Sequence, residues 1–105
     1  MILRWSQRAA SQLFEAADYL DSERPGTGDR LYAAVDQVVA IIKEQPWAFP
    51  RDPHDPRPEV RRALVVRYAY WIIYRVEGDQ VQIVVLTFWP TRRHPEGWRH
   101  GRTSR

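Results

Sequence analysis

Apolar positions along this chain change their period near its middle, and the change divides the sequence into helices followed by strands. Ala9, Leu13, Ala16, Ala17 and Leu20 recur at helical spacing, and Ala10 and Phe14 widen the stripe. Ser6 stands in front of it with a hydroxyl able to accept from a free amide of the first turn, and Arg24-Pro25-Gly26 ends the pattern. The first helix is therefore expected from about Ser6 to Glu23. A second stripe of Leu31, Val35, Val38 and Ile42, broadened by Tyr32, Val39 and Ile41, starts after a cap at Thr27 or Asp29 and stops at Pro46. The pair forms an αα-hairpin whose apolar stripes need a surface to bury against.

Strands supply that surface. Ile2 to Trp5 reads as a short first strand; Arg62–Arg67, Tyr70–Glu77 and Gln80–Phe88 read as three more, the last two joined by a tight turn at Gly78-Asp79. Alternation in the middle strand sends Tyr70, Ile72, Tyr74 and Val76 to one face and Trp71, Ile73 and Arg75 to the other. The stretch between helices and strands holds Pro46, Pro50, Pro53, Pro56 and Pro58, which lack amide hydrogens and disfavour helix, so it is an extended connector that Trp47 and Phe49 are expected to pin to the core. The order β-α-α-β-β-β implies an α+β fold, a helical hairpin packed on a largely antiparallel four-stranded sheet. One domain is expected over residues 1–98, with a basic tail at 99–105.

Composition narrows the function classes. An apolar fraction of 44% over 105 residues suffices for one core, and a domain of this size gains stability from a partner that covers further apolar surface. The absence of cysteine excludes disulfides, thiolate metal sites and cysteine nucleophiles, and it suits a reducing compartment, so the cytoplasm is the expected location. No apolar run approaches the roughly 18 residues of a membrane span, and no signal peptide is evident at the amino terminus.

Charge is unevenly spread. Acids outnumber bases from Ser6 to Gln45, whereas Arg51, Arg57, Arg61, Arg62, Arg67, Arg75, Arg92, Arg93, Arg99, Arg102 and Arg105 dominate after Pro50. Such a half favours an acidic partner or nucleic acid, and it equally describes a soluble basic surface. Fifteen of the sixteen basic residues are arginine, which suits bidentate contacts to phosphate or carboxylate and also follows from G+C-rich coding.

Taken together, Arg62-Ala63-Leu64-Val65-Val66, Tyr70-Trp71-Ile72-Ile73-Tyr74-Arg75-Val76, Ile83-Val84-Val85-Leu86 and Thr91-Arg92-Arg93-His94-Pro95 with Trp98, in this order, resemble the RelE/ParE toxin superfamily over almost the whole chain. The resemblance implies the toxin half of a type II toxin-antitoxin pair, neutralised by a cognate antitoxin. The RelE-like branch cleaves messenger RNA on the ribosome; the ParE-like branch inhibits DNA gyrase without a recognised nuclease step. Fold alone does not choose between them.

The site residues favour the ParE-like branch. Attack by a 2′-hydroxyl needs a proton acceptor, a proton donor and cations for the phosphate. RelE-like enzymes place a basic residue after the first aromatic of the middle strand and a tyrosine near the end; Trp71 and Trp98 occupy the matching places here and can stack but not exchange protons. Trp89 stands where many relatives carry a histidine. His94 and Arg92 are the remaining catalytic candidates, with a solvated loop histidine as the bland reading of His94. Arg62, Arg67, Arg75, Arg92, Arg93 and Trp98 are the candidate target-binding residues, and the arginines are expected to converge on one end of the sheet. Tyr70 and Tyr74 read mainly as core-edge packing, and for Arg75 a cross-strand ion pair is the structural alternative. No cofactor and no metal site are expected. An acidic antitoxin segment is expected across the sheet and the edge of the helical hairpin.

Overall fold

The computed structural model describes residues 2–78 and 82–93, in the order β1 (Ile2–Trp5), α1 (Gln7–Glu23), α2 (Thr27–Glu44), β2 (Val60–Val65), a 3-10 turn (Val66–Tyr68), β3 (Tyr70–Glu77) and β4 (Gln82–Pro90). The fold is the expected α+β arrangement. The strands form one sheet ordered β1-β4-β3-β2, with β2, β3 and β4 antiparallel and β1 parallel to β4, so the sheet is mixed. The parallel pair arises because the whole hairpin lies between β1 and the later strands, and β1 joins the sheet beside the strand that comes last. Among the described residues no helix is long and apolar enough to cross a membrane.

α1 begins where sequence placed it. The Ser6 hydroxyl accepts from the Ala9 amide at 3.0 Å and donates to the Leu86 carbonyl at 3.2 Å, so one side chain caps the helix and ties it to β4. Ala9, Leu13, Ala16 and Ala17 of α1 and Leu31, Val35 and Ile42 of α2 are buried against Ala63, Val65, Ile72, Tyr74, Val76, Ile83, Val85 and Phe88 of the sheet. The α2 start differs from expectation. Its N-cap is Gly26, in the left-handed region at φ 91° and without a side-chain cap of its own. Asp21, near the end of α1, does the capping instead, its carboxylate accepting from the amides of Gly26 and Gly28 at 3.1 and 2.8 Å.

Two strands shift against their expected bounds. β2 starts at Val60 and ends at Val65, leaving Arg67 in the 3-10 turn, and β4 runs on to Pro90. Register slips between Ile73 and Tyr74, which pair with Thr87 and Val85, so Leu86 has no opposite residue on β3. This bulge explains why Val85 and Phe88, three positions apart, both face the helices. Gln12 of α1 closes the irregularity: its Oε1 accepts from the Phe88 amide at 2.9 Å and the Thr87 hydroxyl at 2.8 Å.

The proline-rich connector lies along the β2 edge, with Arg51 bridged to Arg61 and the Arg62 amide donating to the Pro50 carbonyl at 3.0 Å. Phe49 packs edge-on to Tyr74 at 6.3 Å, as expected of a pin. Trp47 does not pin the loop. It is 52% exposed, with the Arg61 guanidinium 5.0 Å from its ring, because Arg61 also donates to the Trp47 and Phe49 carbonyls and holds the chain from outside.

Candidate functional site: the open sheet face and the turn after β4

Helices cover one face of the sheet, and the other face carries a second, smaller apolar cluster of Val60, Ile73 and Trp89 with Trp71 and Leu86 beside it. Strand pairing sets Trp71 directly opposite Trp89. The Arg62 guanidinium carbon lies 4.0 Å from the Trp71 ring centre, and that of Arg93 lies 5.2 Å from Trp89. The result is an Arg-Trp-Trp-Arg row across β2, β3, β4 and the turn that follows, in which stacked guanidinium groups keep their charge while covering apolar rings.

The turn after β4 is anchored at three points. The Arg93 amide donates to the Pro90 carbonyl at 3.1 Å, the Thr91 amide to the Ala69 carbonyl at 2.9 Å, and the Trp89 indole to the Arg93 carbonyl at 3.2 Å. Ala69, a non-glycine residue at φ 57°, makes the bend that places its carbonyl there. Trp89 thus has a structural role at the position where a histidine would otherwise suggest chemistry. Arg92 and Arg93 project from this turn, both exposed.

The candidate arginines do not all converge. Arg67, over Tyr68 at 5.9 Å, shares the sheet end with Arg92 and Arg93, and Arg62 reaches toward it through Trp71. Arg75 pairs in register with Val60 and Val84, five residues along β3 from Tyr70, which is about 16 Å at strand rise. It is ion-paired with Glu77 two positions further on its own strand, rather than across strands. His94 and Trp98 lie outside the described residues. Tyr74 is fully buried, its hydroxyl donating to the Pro46 carbonyl at 2.6 Å, and burial pushes its pKa well up. Tyr70 stacks on Phe88 at 4.5 Å with planes 5° apart; burial raises its pKa and the Arg93 charge opposes that.

Between the carboxyl-terminal half of α1 and this sheet end opens a cleft of about 700 Å³. Ala16, Leu20, Tyr70 and Phe88 form its apolar walls, and Tyr19, Arg92 and Arg93 stand at its rim. Sequence reading missed this cleft, because it arises where α1 meets the ends of β3 and β4.

It also missed Asp52. This side chain is 1% exposed; burial raises its pKa, while the charges of His54 and Arg62 and the His54 backbone amide pull it down. The Arg62 Nε beside it is buried and has no hydrogen-bond partner among the described residues. Asp55, two residues after the proline that follows Asp52, is ion-paired with Arg57 at 2.8 Å. Among the described residues no three His, Asp or Glu side chains gather as metal ligands.

Comparison with known proteins bears on this architecture. The family model described as "ParE toxin of type II toxin-antitoxin system, parDE" matches residues 3–95. Among solved structures, the chromosomal ParDE TA system from P. aeruginosa superposes with a TM-score of 0.63 at 23% identity, covering 88% of this chain and 97% of that one. A YoeB/ParE toxin from Agrobacterium tumefaciens superposes with a TM-score of 0.56 at 14% identity, covering 85% of this chain and 96% of that one. Both likenesses concern the fold. Comparison with curated proteins finds no match.

Proposed function

The chain belongs to the ParE toxin family of type II toxin-antitoxin systems, and from that premise we propose that it arrests growth by binding an essential target, is neutralised by a cognate antitoxin, and works without cleaving RNA. DNA gyrase is the target that the family resemblance implies. The observation that carries the reading is the chemistry of the open sheet face. Its described residues offer chiefly arginine and tryptophan, Arg62, Trp71, Trp89 and Arg93 above all. Guanidinium groups held in this way grip carboxylates or phosphates, which suits binding better than acid-base catalysis.

The arginines of the Pro90–Arg93 turn are the proposed target contacts, with Arg62 and Arg67 as neighbours on the same end and Arg75 and Trp98 as further candidates. A ribosome-dependent ribonuclease acting on messenger RNA is the alternative; it requires His94 with Arg92 to supply the proton transfers.

Controlled expression with and without the adjacent reading frame tests the reading, with DNA supercoiling and message integrity followed in the same cells. Growth arrest with altered supercoiling and intact message is expected. Codon-phased message cuts that precede any change in DNA, and that vanish on changing His94 or Arg92, would replace it with the ribonuclease. No arrest at all would make the chain an inactive or retargeted interaction module.

A further inference from the structure

We propose that the target docks across the whole open sheet face, as an acidic protein surface whose carboxylates meet Arg4 on β1 as well as Arg62 and Arg93; this rests on the growth-arrest reading above and adds a contact at the far edge of the sheet. Alternation places Arg4. Leu3 and Trp5 pack against the helix-covered core, so Ile2 and Arg4 belong to the other face, and both are exposed. Pairing then sets Arg4 beside Val84, and Val84 beside Arg75. The two arginines stand two strand spacings apart, about 10 Å, with a buried valine between them. Arg75, distant from the Pro90–Arg93 turn, thus belongs with Arg4 to a second basic group at the opposite end of the face.

Charge on this face is unevenly matched. Glu77 is taken by Arg75, and Asp52 is buried. Arg4, Arg62 and Arg93 form no ion pair among the described residues. Arg62 and Arg93 rest instead on Trp71 and Trp89, and a guanidinium lying on a ring keeps its edge donors for a planar carboxylate. Leu64, paired with Trp71 and 36% exposed, and the half-buried Leu86 leave apolar surface among these charges. An apolar centre rimmed by charge, rich in arginine and tryptophan, is the chemistry of a protein interface.

Size requires the whole face. The eight residues of β3 run about 26 Å and the four strands span about 19 Å, roughly 500 Å² together, whereas a stable protein interface takes about 800 Å² from each partner. The Arg93 end alone falls well short.

The rings favour protein over nucleic acid. Single strands bind by stacking bases on open aromatic faces, but Trp89 is 7% exposed and the Trp71 ring carries the Arg62 guanidinium, so bases find no free platform. Acids outnumber bases in the helical hairpin behind the sheet, so the two sides of the chain differ in charge and an acidic partner is steered toward the open face.

Graded induction of the chain and its variants, with abundance followed by immunoblot, tests the surface. Arg4→Glu should need about tenfold more protein to halt growth, and Arg4→Lys should recover most of that loss because the charge returns. Ile2→Glu, which sets a negative charge on the same rim without touching the arginine, should act in the same direction, while Arg30→Glu on α2 should behave as the unchanged chain. Circular dichroism and thermal midpoints of the purified variants separate weakened docking from a damaged fold. Undiminished arrest in folded Arg4→Glu and Ile2→Glu would overturn the proposal and leave the growth-arrest reading standing; no arrest by the unchanged chain would overturn both. Anisotropy with a fluorescein-labelled single-stranded RNA and a short duplex DNA covers the other class of partner, and neither should bind tightly at physiological salt. Tight binding of either probe that Arg4→Glu abolishes would reassign the face to nucleic acid and overturn the proposal.

Discussion

Asp21 holds the start of a helix it does not belong to: its Oδ1 accepts from the Gly28 amide at 2.8 Å, across the turn that joins α1 to α2. The first amides of a helix carry a partial positive charge and lack intrahelical partners, so a carboxylate at this place satisfies donors and opposes the dipole together. Gly28 makes the arrangement possible. A Cβ added there would lie 2.7 Å from the Ala17 carbonyl oxygen and 2.7 Å from Asp21 Oδ2, so the close crossing of the two helices requires its absence.

Asp21→Ala should therefore destabilise the fold by about 1–2 kcal/mol, a fall of several degrees in thermal midpoint for a domain of this length. Gly28→Ala should cost about as much or more, since backbone as well as side chain must move, roughly 1–3 kcal/mol for an overpacked contact. Thermal denaturation followed by circular dichroism measures both. An unaltered midpoint in Asp21→Ala would mean that water replaces the carboxylate at no loss.

Tyr74 gives a prediction that depends on pH. Its buried hydroxyl donates to the Pro46 carbonyl, and burial holds its pKa above the ordinary value of 10.0. The unfolded chain releases that proton first, so stability is full below about pH 10 and falls as pH rises further. Tyr74→Phe should remove about 1–2 kcal/mol near neutrality by stranding the carbonyl, and should also flatten the alkaline decline. Urea titrations at neutral and alkaline pH separate the two effects.

Asp52 should behave in the opposite sense to most acids of folded proteins. Its carboxylate is buried, and desolvation raises its pKa from 3.8, so the folded chain holds this proton more tightly than the unfolded chain does. The contribution to stability is present at acid pH and is lost as pH rises through the folded value. Asp52→Asn is expected to raise stability at pH 7 by up to about 1 kcal/mol, and the gain should shrink toward pH 3. A loss at neutral pH would show that attraction to Arg62 outweighs desolvation.

Local patterns made the fold legible, and the misses share one cause. Ala9, Leu13 and Ala16 declare α1 by spacing, Ser6 declares its start, and the alternation from Tyr70 to Glu77 gives the bounds of β3. These signals need only neighbouring residues. The cap of α2 comes instead from Asp21 on another helix, and the bulge at Leu86 depends on register with β3. Trp47 stays outside because Arg61, fourteen residues on, grips the loop from the solvent side. For the candidate site, the sequence named Arg62, Arg92 and Arg93 by type and position, but only cross-strand pairing shows that Trp71 and Trp89 join them in one row and that Arg75 sits apart.

Trp89 ties that row to the proposed target contacts, and it can be altered without removing any charge. The indole Nε1 donates to the Arg93 carbonyl, while the ring lies opposite Trp71 and under the Arg93 guanidinium. Phenylalanine keeps a ring in the apolar cluster but loses the donor, so the turn retains its other two anchors and gains freedom. The lost hydrogen bond costs about 1 kcal/mol and the smaller ring leaves buried volume unfilled, so stability should fall by about 1–3 kcal/mol. Growth arrest should weaken more than stability does, because two exposed arginines must then be ordered each time a target binds. Histidine at the same position, with a ring nitrogen able to donate to the same carbonyl, should restore part of the effect. The measurement pairs thermal midpoints with the inducer concentration that halts growth for the unchanged chain, Trp89→Phe and Trp89→His. Equal potency of all three at equal abundance would show that the turn needs no indole to present Arg92 and Arg93.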